Sequence, residues 1–294
     1  MLRTVAAKAG LLVPGLAWMS LCALAQSDHT SQNNQAHNIF PPGATGGTAQ
    51  KGKPGSGGGV ANLIFHGGPV LSSSDFHFVW WGSPSAFTAE QPILQNFVGG
   101  LGTTAFYGMM HQYTPSGPVL NYPKNDYVDI SAPPSHGPSV SAIVGEVCKV
   151  LTAANQAPDP NAIYAVLASN FPKGANYCAW HSAGPCGGTT VQVIYQPNPA
   201  GVLGCSTGVY PHNNAQADST ANTLSHEIFE AVTDPLGTAW YDKNGEEIGD
   251  KCAWTFTPYT TGANYTNIVG GQNYYIQREW SNLASGCVQQ DDTH

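Results

Sequence analysis

Residues 218–234 constrain the fold most, because they combine a helical apolar repeat with a cluster of acidic and imidazole side chains. Asp218 or Ser219 is expected to cap the start of a helix, and Pro235 to end it after Asp234. The apolar residues that recur at near-helical spacing are Ala221, Leu224, Ile228 and Val232. The pattern predicts a helix that buries its apolar face in a core and presents its polar face to a cleft.

The polar face of this helix carries the most informative motif, His226-Glu227-Ile228-Phe229-Glu230. Residues four apart share a helix face, so His226 and Glu230 can converge on one metal ion, with Glu227 beside them as a general base. The motif resembles the His-Glu-x-x-His of zinc peptidases, with glutamate in place of the second histidine. Asp250 follows 24 residues after His226, where such enzymes often have a third ligand.

A tight turn at Asn244-Gly245 is expected to bring Glu247 and Asp250 back toward the helix. Asp250 is the better third ligand, and Glu247 is an alternative ligand or a group that orients one. The expected cofactor is Zn²⁺, although a carboxylate-rich set also suits another divalent cation. In the structural alternative, His226 and Glu230 form only an ion pair on a solvated helix face.

His181 is the second candidate catalytic residue. It follows Cys178 in an expected disulfide loop, and it could reach the cleft as a metal ligand or as a donor to an oxyanion. The alternative is a histidine bonded to the backbone of its own loop. The chain has no G-x-S-x-G motif, which argues against a serine hydrolase.

The chain divides into three parts. Residues 1–25 have a basic start, an apolar stretch and Ala23-Leu24-Ala25, which predict a Sec-type signal peptide cleaved near Ala25 and a secreted protein. Residues 26–59 are rich in Gly, Pro and Ser, with Ile39 and Phe40 almost the only large apolar residues, and are expected to be a disordered leader. Residues 60–294 form one domain. No later segment is long and apolar enough for stable membrane insertion.

Charge and cysteine content narrow the possible partners. The chain has 10 basic and 18 acidic residues, and loss of Arg3 and Lys8 with the signal leaves 8 against 18, or −10, which argues against nucleic acid as a partner. Six cysteines remain after residue 25, and in an exported protein they predict three disulfides. We expect the pairs Cys178–Cys186, Cys252–Cys287 and Cys148–Cys205. Nothing in the sequence sets an oligomeric state.

The pattern of elements predicts an α/β (α+β) domain, loop-rich and disulfide-bonded. Short strands are expected at residues 62–65, 75–82, 162–168 and 189–195, and helices at 91–101 and 139–155. This order, followed by the His226 helix, is how zinc peptidases place an active-site helix behind a twisted mixed sheet, so we expect a single zincin-like domain.

Several short motifs, taken in order, resemble the EXORDIUM or phosphate-induced protein family of plant cell walls. The motifs are His66-Gly67-Gly68-Pro69, Phe78-Val79-Trp80-Trp81-Gly82, Tyr164-Ala165-Val166-Leu167-Ala168, Cys178-Ala179-Trp180-His181, Ser225-His226-Glu227, Ala239-Trp240-Tyr241 and Glu247-Ile248-Gly249-Asp250. The resemblance implies an extracellular, wall-associated protein with a metallopeptidase-like fold, here as a bacterial exported relative. The long leader and the cysteines near Cys178 depart from the plant pattern.

Two functions follow from these observations. The first is a secreted zinc hydrolase, and the motif favours a peptidase that acts on a peptide. In this enzyme the metal would activate a water molecule and Glu227 would be the general base. The second is a non-catalytic protein that binds a cell-wall polymer or carbohydrate through exposed aromatic rings. Adjacent solvent-facing rings remote from His226 would favour binding, whereas a cleft bordered by His226, Glu230 and Asp250 would favour the enzyme.

Overall fold

The computed structural model describes residues 37–39, 61–257 and 267–289. The predicted signal peptide, residues 1–25, lies outside this part of the chain. The helices found within the described ranges are all too short or too polar to cross a bilayer.

A mixed sheet forms the centre of the domain. In chain order, its strands are β1 (His37–Ile39), β3 (Ser73–Trp81), β4 (Val119–Asn121), β5 (Tyr127–Asp129), β6 (Ile163–Ala168), β7 (Ala179–Cys186) and β8 (Thr189–Pro197). The spatial order is β1-β7-β8-β6-β3-β4, with β5 also pairing with β3. The pairs β3–β4, β3–β5, β3–β6 and β6–β8 are parallel, and β7 is antiparallel to both β8 and β1.

Helices cover both faces of this sheet. They are α1 (Gln91–Leu101), α2 (Ala105–Gly108), α3 (Val140–Ala153) and α4 (Ala215–Thr233). Among the residues that the structure describes, three small ribbons lie outside the sheet: β2 (Ile64–Phe65) with β9 (Trp240–Tyr241), β10 (Asn267–Val269) with β11 (Gln272–Tyr274), and β12 (Glu279–Ser281) with β13 (Gly286–Val288).

Alternating side chains of the strands build two cores, one on each face. Phe76, Phe78 and Trp80 of β3 pack with α1, α2 and α4, whereas Val79 and Trp81 pack with α3. Successive strand residues point to opposite faces, so the continuous apolar runs seen in the sequence fill both cores at once. The predicted α/β class with a mixed sheet is confirmed.

The predicted elements are present, with two differences. Helix α4 begins at Ala215, and its N-cap is Asn214, whose side chain accepts from the Ala217 N–H, rather than Asp218 or Ser219. Asp218 instead lies in the first turn, where it pairs with His212 at 2.6 Å. The expected loop around His181 is the eight-residue strand β7.

The disulfides correct two of three predicted pairs. Cys252–Cys287 is confirmed, but the other bonds are Cys148–Cys186 and Cys178–Cys205. Proximity in sequence favoured Cys178–Cys186, yet β7 runs between these residues in extended form. A strand of that length separates its ends by roughly 25 Å, far beyond the reach of a disulfide.

Residues 37–39, expected to be part of a disordered leader, form strand β1 at the edge of the main sheet. The Ile39 carbonyl accepts from the Cys178 N–H at 2.7 Å, and the Ile39 side chain is only 1% exposed. The expectation of disorder therefore does not hold for these three residues, because Ile39 finds an apolar pocket that the composition of the leader did not reveal.

Candidate metal centre

Helix α4 is buried along almost its whole length, including its polar residues. Its apolar side, with Leu224, Ile228 and Val232, lies in the core beneath the sheet. The opposite side carries Thr223, which donates to Gln196 of β8 at 2.7 Å, and then the motif residues His226, Glu227 and Glu230, all buried. The apolar repeat thus positions the motif, and the polar side is enclosed by protein rather than exposed.

The sheet register directs two histidines toward α4. His181 of β7 lies opposite Ile194 of β8, and His37 of β1 lies opposite His181. Directly opposed residues in antiparallel strands share a face, and Ile194 belongs to the core on the α4 side. Both imidazoles therefore point toward His226 and Glu230.

The loop after β9 brings in the remaining carboxylates. The Asn244-Gly245 turn forms as predicted, with the Gly245 N–H donating to the Asp242 carbonyl at 2.9 Å. The Asp250 N–H donates to Glu230 Oε1 at 3.0 Å, which anchors the loop on α4. A Cβ on Gly249 would lie 2.6 Å from His226 Nδ1, so only glycine allows the loop this close to the imidazole.

These elements assemble three overlapping groups of potential ligands. The ligand atoms in each group lie within 4.8 Å of one another: His226, Glu230 and Asp250; His181, Glu227 and Glu230; and His37, His181 and Glu247. His226 Nε2 is 3.0 Å from Glu230 Oε1 and 3.8 Å from Asp250 Oδ1. His181 Nε2 is 3.5 Å from Glu230 Oε2, so Glu230 connects two of the groups.

Burial and mutual repulsion govern the electrostatics of the carboxyl groups. Burial, followed by the charges of neighbouring acids, raises the pKa values of Glu227, Glu230 and Asp250 well above the ordinary range. Burial also lowers the pKa values of His181 and His226, so both imidazoles tend to stay neutral. A cluster of this kind favours either protonated acids or a compensating cation.

Glu247 differs from the other carboxylates because it has an ion-pair partner. Burial works against its ionisation, but the charge of His37, whose Nδ1 lies 2.7 Å from Glu247 Oε2, holds the pKa of Glu247 below its ordinary range. Burial likewise opposes the charged form of His37, yet Glu247 raises the pKa of His37 to about 9. His37 and Glu247 therefore form the ion pair, and His181 beside them stays neutral.

Unpartnered buried atoms show that the cluster suits a cation. Within the described residues, no hydrogen bond of good geometry reaches His226 Nε2, Glu230 Oε2 or either oxygen of Glu227. The Ile39 N–H nevertheless lies close enough to Glu227 to oppose the rise in its pKa. One imidazole and several carboxylates match Zn²⁺, and the oxygen-rich set also fits harder divalent cations.

Gln277 orients the central histidine. Its Nε2 donates to His226 Nδ1 at 2.9 Å and to the Gly249 carbonyl at 3.2 Å, while its Oε1 accepts from the Trp254 N–H at 3.2 Å. The amide is thus held from both ends, and the His226 ring is fixed with Nε2 facing Glu230. Residues of this kind usually support the ligands of a metal site.

The structure brings together every residue predicted for the site. The predicted metal ligands His226, Glu230, Asp250 and Glu247 join the predicted catalytic residues Glu227 and His181 in one buried cluster. The structural alternative of a solvated His226–Glu230 pair is wrong, because the two side chains are 0% and 1% exposed. The roles of the residues within the cluster stay predictions.

Sequence reasoning missed three participants. His37 lies in the predicted leader, where the neighbouring Ile39 is a signal that this stretch can enter a core. Gln277 and Glu279 lie in the C-terminal region, where no motif indicated them. Glu279 is fully buried and has an unpartnered Oε2, and burial together with the charge of Glu230 raises its pKa well above the ordinary range.

Comparison with known proteins identifies a plant relative. No protein-family model matches the chain. The chain is 24% identical to Protein EXORDIUM-like 3 from Arabidopsis thaliana in an alignment 294 positions long, which covers 78% of this chain and 84% of the plant protein. The family resemblance predicted from the motifs is confirmed by this match.

A solved structure shows a partial likeness. Metalloproteinase-II from Bacteroides fragilis aligns with a TM-score of 0.31 and 14% identity, covering 59% of this chain. The chain spans 46% of the length of that metalloproteinase, so the match leaves more than half of the solved protein without a counterpart.

Proposed function

We propose that this chain, which is similar to Protein EXORDIUM-like 3, is an exported, metal-dependent hydrolase and that its substrate is a peptide. The observation that carries the proposal is the convergence of His226, Glu230 and Asp250 on one point, with unpartnered buried ligand atoms. Three disulfides support export to an oxidising compartment.

Each residue has a role that its position supports. His226, Glu230 and Asp250 would hold a divalent cation, with zinc as the expected ion and Glu247 as a further ligand or support. When bound, the cation would supply a water of lowered pKa and positive charge for a polarised carbonyl. Glu227 lies on the same helix face as Glu230, where its carboxylate could accept a proton from that water and later release it to a leaving amine.

His181 is placed to act on the developing oxyanion. It is 1% exposed, neither of its ring nitrogens has a hydrogen bond of good geometry within the described residues, and burial keeps the ring neutral. A neutral imidazole can donate one N–H to an oxyanion without introducing a fixed positive charge. Gln277 and Gly249 would keep His226 in position throughout.

Metal content of the oxidised full-length protein tests the first part of the proposal. Plasma mass spectrometry should find about one zinc or other divalent ion per chain in the wild type, and loss of the ion in His226→Ala and Glu230→Ala. His212→Ala is the matched control, since His212 pairs with Asp218 outside the cluster. A folded wild-type protein without bound metal would contradict the proposal.

Hydrolysis of a peptide library tests the second part. Glu227→Gln should keep the metal and lower the rate of hydrolysis by about 10²–10⁴-fold. Circular dichroism and a thiol titration confirm that the variant is folded and oxidised. Full activity in this variant would exclude Glu227 as the base, and absence of hydrolysis in a metal-loaded wild type would exclude the peptidase.

A carbohydrate-binding function is the second candidate, supported by a small aromatic patch on the β2–β9 ribbon. Phe65 is half-exposed and its ring centroid lies 5.1 Å from that of Trp240, while His66 stacks on Tyr241 at 3.7 Å. Most other large aromatics are core residues, including Trp80, Trp180 and Trp280. Phe65→Ala should weaken binding to insoluble wall polysaccharide, whereas Glu227→Gln should leave it unchanged.

A further inference from the structure

Strand β1 closes one edge of the main sheet, and it comes from the leader rather than from the domain. It pairs with β7 in antiparallel register, from His37 opposite His181 to Ile39 opposite Ala179. Without these three residues, β7 would be the edge of the sheet, with free backbone donors and acceptors. Such an edge is where extended peptides add as a further strand.

The pocket under β1 has the features of a side-chain subsite. Ile39 is 1% exposed and packs on Cys178, Ala179 and Cys205. The partly buried residues around this pocket are Phe171, Val202 and Trp254. The Cys178–Cys205 disulfide fixes one wall, so the pocket is built by the domain and accepts an aliphatic side chain.

β1 also crosses the candidate metal centre. His37 Nδ1 pairs with Glu247 Oε2 at 2.7 Å, and the His37 ring centroid lies 4.9 Å from that of His181. At the other end, the backbone N–H of Ile39 is near enough to the Glu227 carboxyl group to favour its charged form, although the two make no hydrogen bond of good geometry. A peptide group of the leader therefore stands beside the residue proposed as the base, in an extended conformation.

Solvent reaches the cluster at few places. Glu227, Glu230, His181 and His226 are at most 1% exposed, whereas the side chains of His37 and Asp250 are each 16% exposed. His37 thus covers Glu247 and His181 from the solvent side. Removal of β1 would open the cluster along the edge of β7.

We propose that the edge of β7 and the Ile39 pocket form a groove for an extended polypeptide with an aliphatic side chain, and that residues 37–39 occupy this groove as an internal inhibitor. This inference rests on the proposed function and adds the substrate class and its regulation. Because β1 and β7 belong to the same chain, β1 competes for the groove at an effective concentration of about millimolar. An external peptide would therefore bind well only after β1 has left.

The test uses full-length protein and a fluorescein-labelled peptide with the sequence of residues 35–42. Ile39→Asp places a charge in the apolar pocket and should expel β1. Fluorescence anisotropy should show that this variant binds the peptide about tenfold or more tightly than the wild type does. Ile130→Asp is the matched control at a position 76% exposed, and it should behave as the wild type.

A second measurement covers the case in which Ile39→Asp does not fold. A specific protease site placed among residues 45–55 of the otherwise unchanged chain is cut after folding, and the released leader is diluted away. Peptide binding should then rise by about tenfold or more, and the Cys178 amide should exchange faster with deuterium. A peptide carrying aspartate at the position of Ile39 should not bind.

The outcomes separate this inference from the proposed function. Peptide binding after expulsion of β1, in a protein without metal or hydrolysis, would support the groove and contradict the hydrolase. Equal hydrolysis by the wild type and by protein without bound β1 would support the hydrolase and contradict the inhibitor. Peptide binding that stays at the wild-type level in both forms would show that β1 is only a structural strand and would overturn the inference.

Discussion

Helices α3 and α4 cover opposite faces of one sheet, but they differ in which side chains they bury. Helix α3 is amphipathic: it buries residues such as Ile143 and Val147 against the sheet and exposes its other side. Its buried acid, Glu146, is paired with Lys149 at 3.3 Å. Helix α4 buries 17 of its 19 residues, and its acids Glu227 and Glu230 have no basic lysine or arginine partner among the described ion pairs.

The difference favours a structural role for α3 and the proposed functional site for α4. An apolar face like that of α3 stabilises the fold by burial alone. Buried carboxylates like those of α4 cost free energy unless a cation or a proton compensates them. A helix that keeps such groups therefore indicates a function that requires them.

Removal of a bound cation is expected to cause the largest loss of stability, and this loss should arise from α4 and not from α3. A bound ion would neutralise the buried carboxylates of α4. If the ion is present at a thousand times its Kd, its removal by a chelator should lower the free energy of unfolding by about 4 kcal/mol. Urea unfolding of the full-length protein, with and without a chelator, measures this difference. The loss should disappear in His226→Ala, which no longer binds the ion.

Chelation that leaves the unfolding curve of the wild type unchanged would show that protons, not a cation, neutralise the acids of α4. The control is the α3 side of the sheet. A substitution in the core between α3 and the sheet should lower the free energy of unfolding by the same amount with and without the chelator, because sites that share no partners contribute additively.

Ile143→Ala in α3 should have the next largest effect. Ile143 is fully buried between α3 and the sheet, so its truncation removes apolar contacts and leaves a cavity. The free energy of unfolding should fall by about 3 kcal/mol. The same fall is expected in chelated protein, and a strong dependence on the chelator would mean that the two faces of the sheet are coupled.

The two helices also differ in what their sequences reveal. Period and capping predicted α1 and α3 within two residues, because local patterns determine these elements. The His226 motif predicted the ligands on α4 because their spacing is a local property of a helix. The approach of Asp250 also follows from a local turn, at Asn244-Gly245.

Long-range pairing explains what could not be predicted. His37 meets Glu247 across 210 positions in the chain, and Gln277 meets His226 across 51. Neither contact has a signal in the local pattern, since each depends on which strands lie side by side. The two wrong disulfides have the same origin, because strand β7 between Cys178 and Cys186 carries no clear alternation.

A buried acid outside the candidate metal centre, Glu90, should have a smaller effect on stability, and this effect should depend on pH. Glu90 occupies the N-cap position of α1 without a side-chain bond to the helix, and burial, opposed by the Gln216 amide of α4, raises its pKa to about 8. Because the folded protein keeps this proton and the unfolded chain releases it near pH 4.5, stability should fall as pH rises from about 4.5 to 8. Glu90→Gln should remove this dependence and be more stable than the wild type by about 2 kcal/mol at pH 6, about 1.5 pH units above the pKa of the unfolded chain.

The advantage of Glu90→Gln should vanish toward pH 4, where the folded and unfolded wild type both hold the proton. Thermal unfolding of both proteins across this range, with chelator present throughout, measures it. An advantage that is equal at pH 4 and pH 8 would indicate a packing effect rather than the cost of a buried charge.

Replacement of the N-cap residues of α3 and α4 should cause the smallest loss of stability. Ser139 accepts from the Ala142 N–H at 3.2 Å and Asn214 accepts from the Ala217 N–H at 3.0 Å, so each alanine variant should lose about 1 kcal/mol. Asn214 also donates to the Ala89 carbonyl at 3.2 Å and thereby ties α4 to the segment before α1. Its loss should therefore exceed that of Ser139→Ala, while Asn214→Asp, which keeps the cap and removes the donor, should fall between the wild type and Asn214→Ala. Equal losses from both alanine variants in chemical denaturation would mean that α4 is anchored by its buried polar side alone.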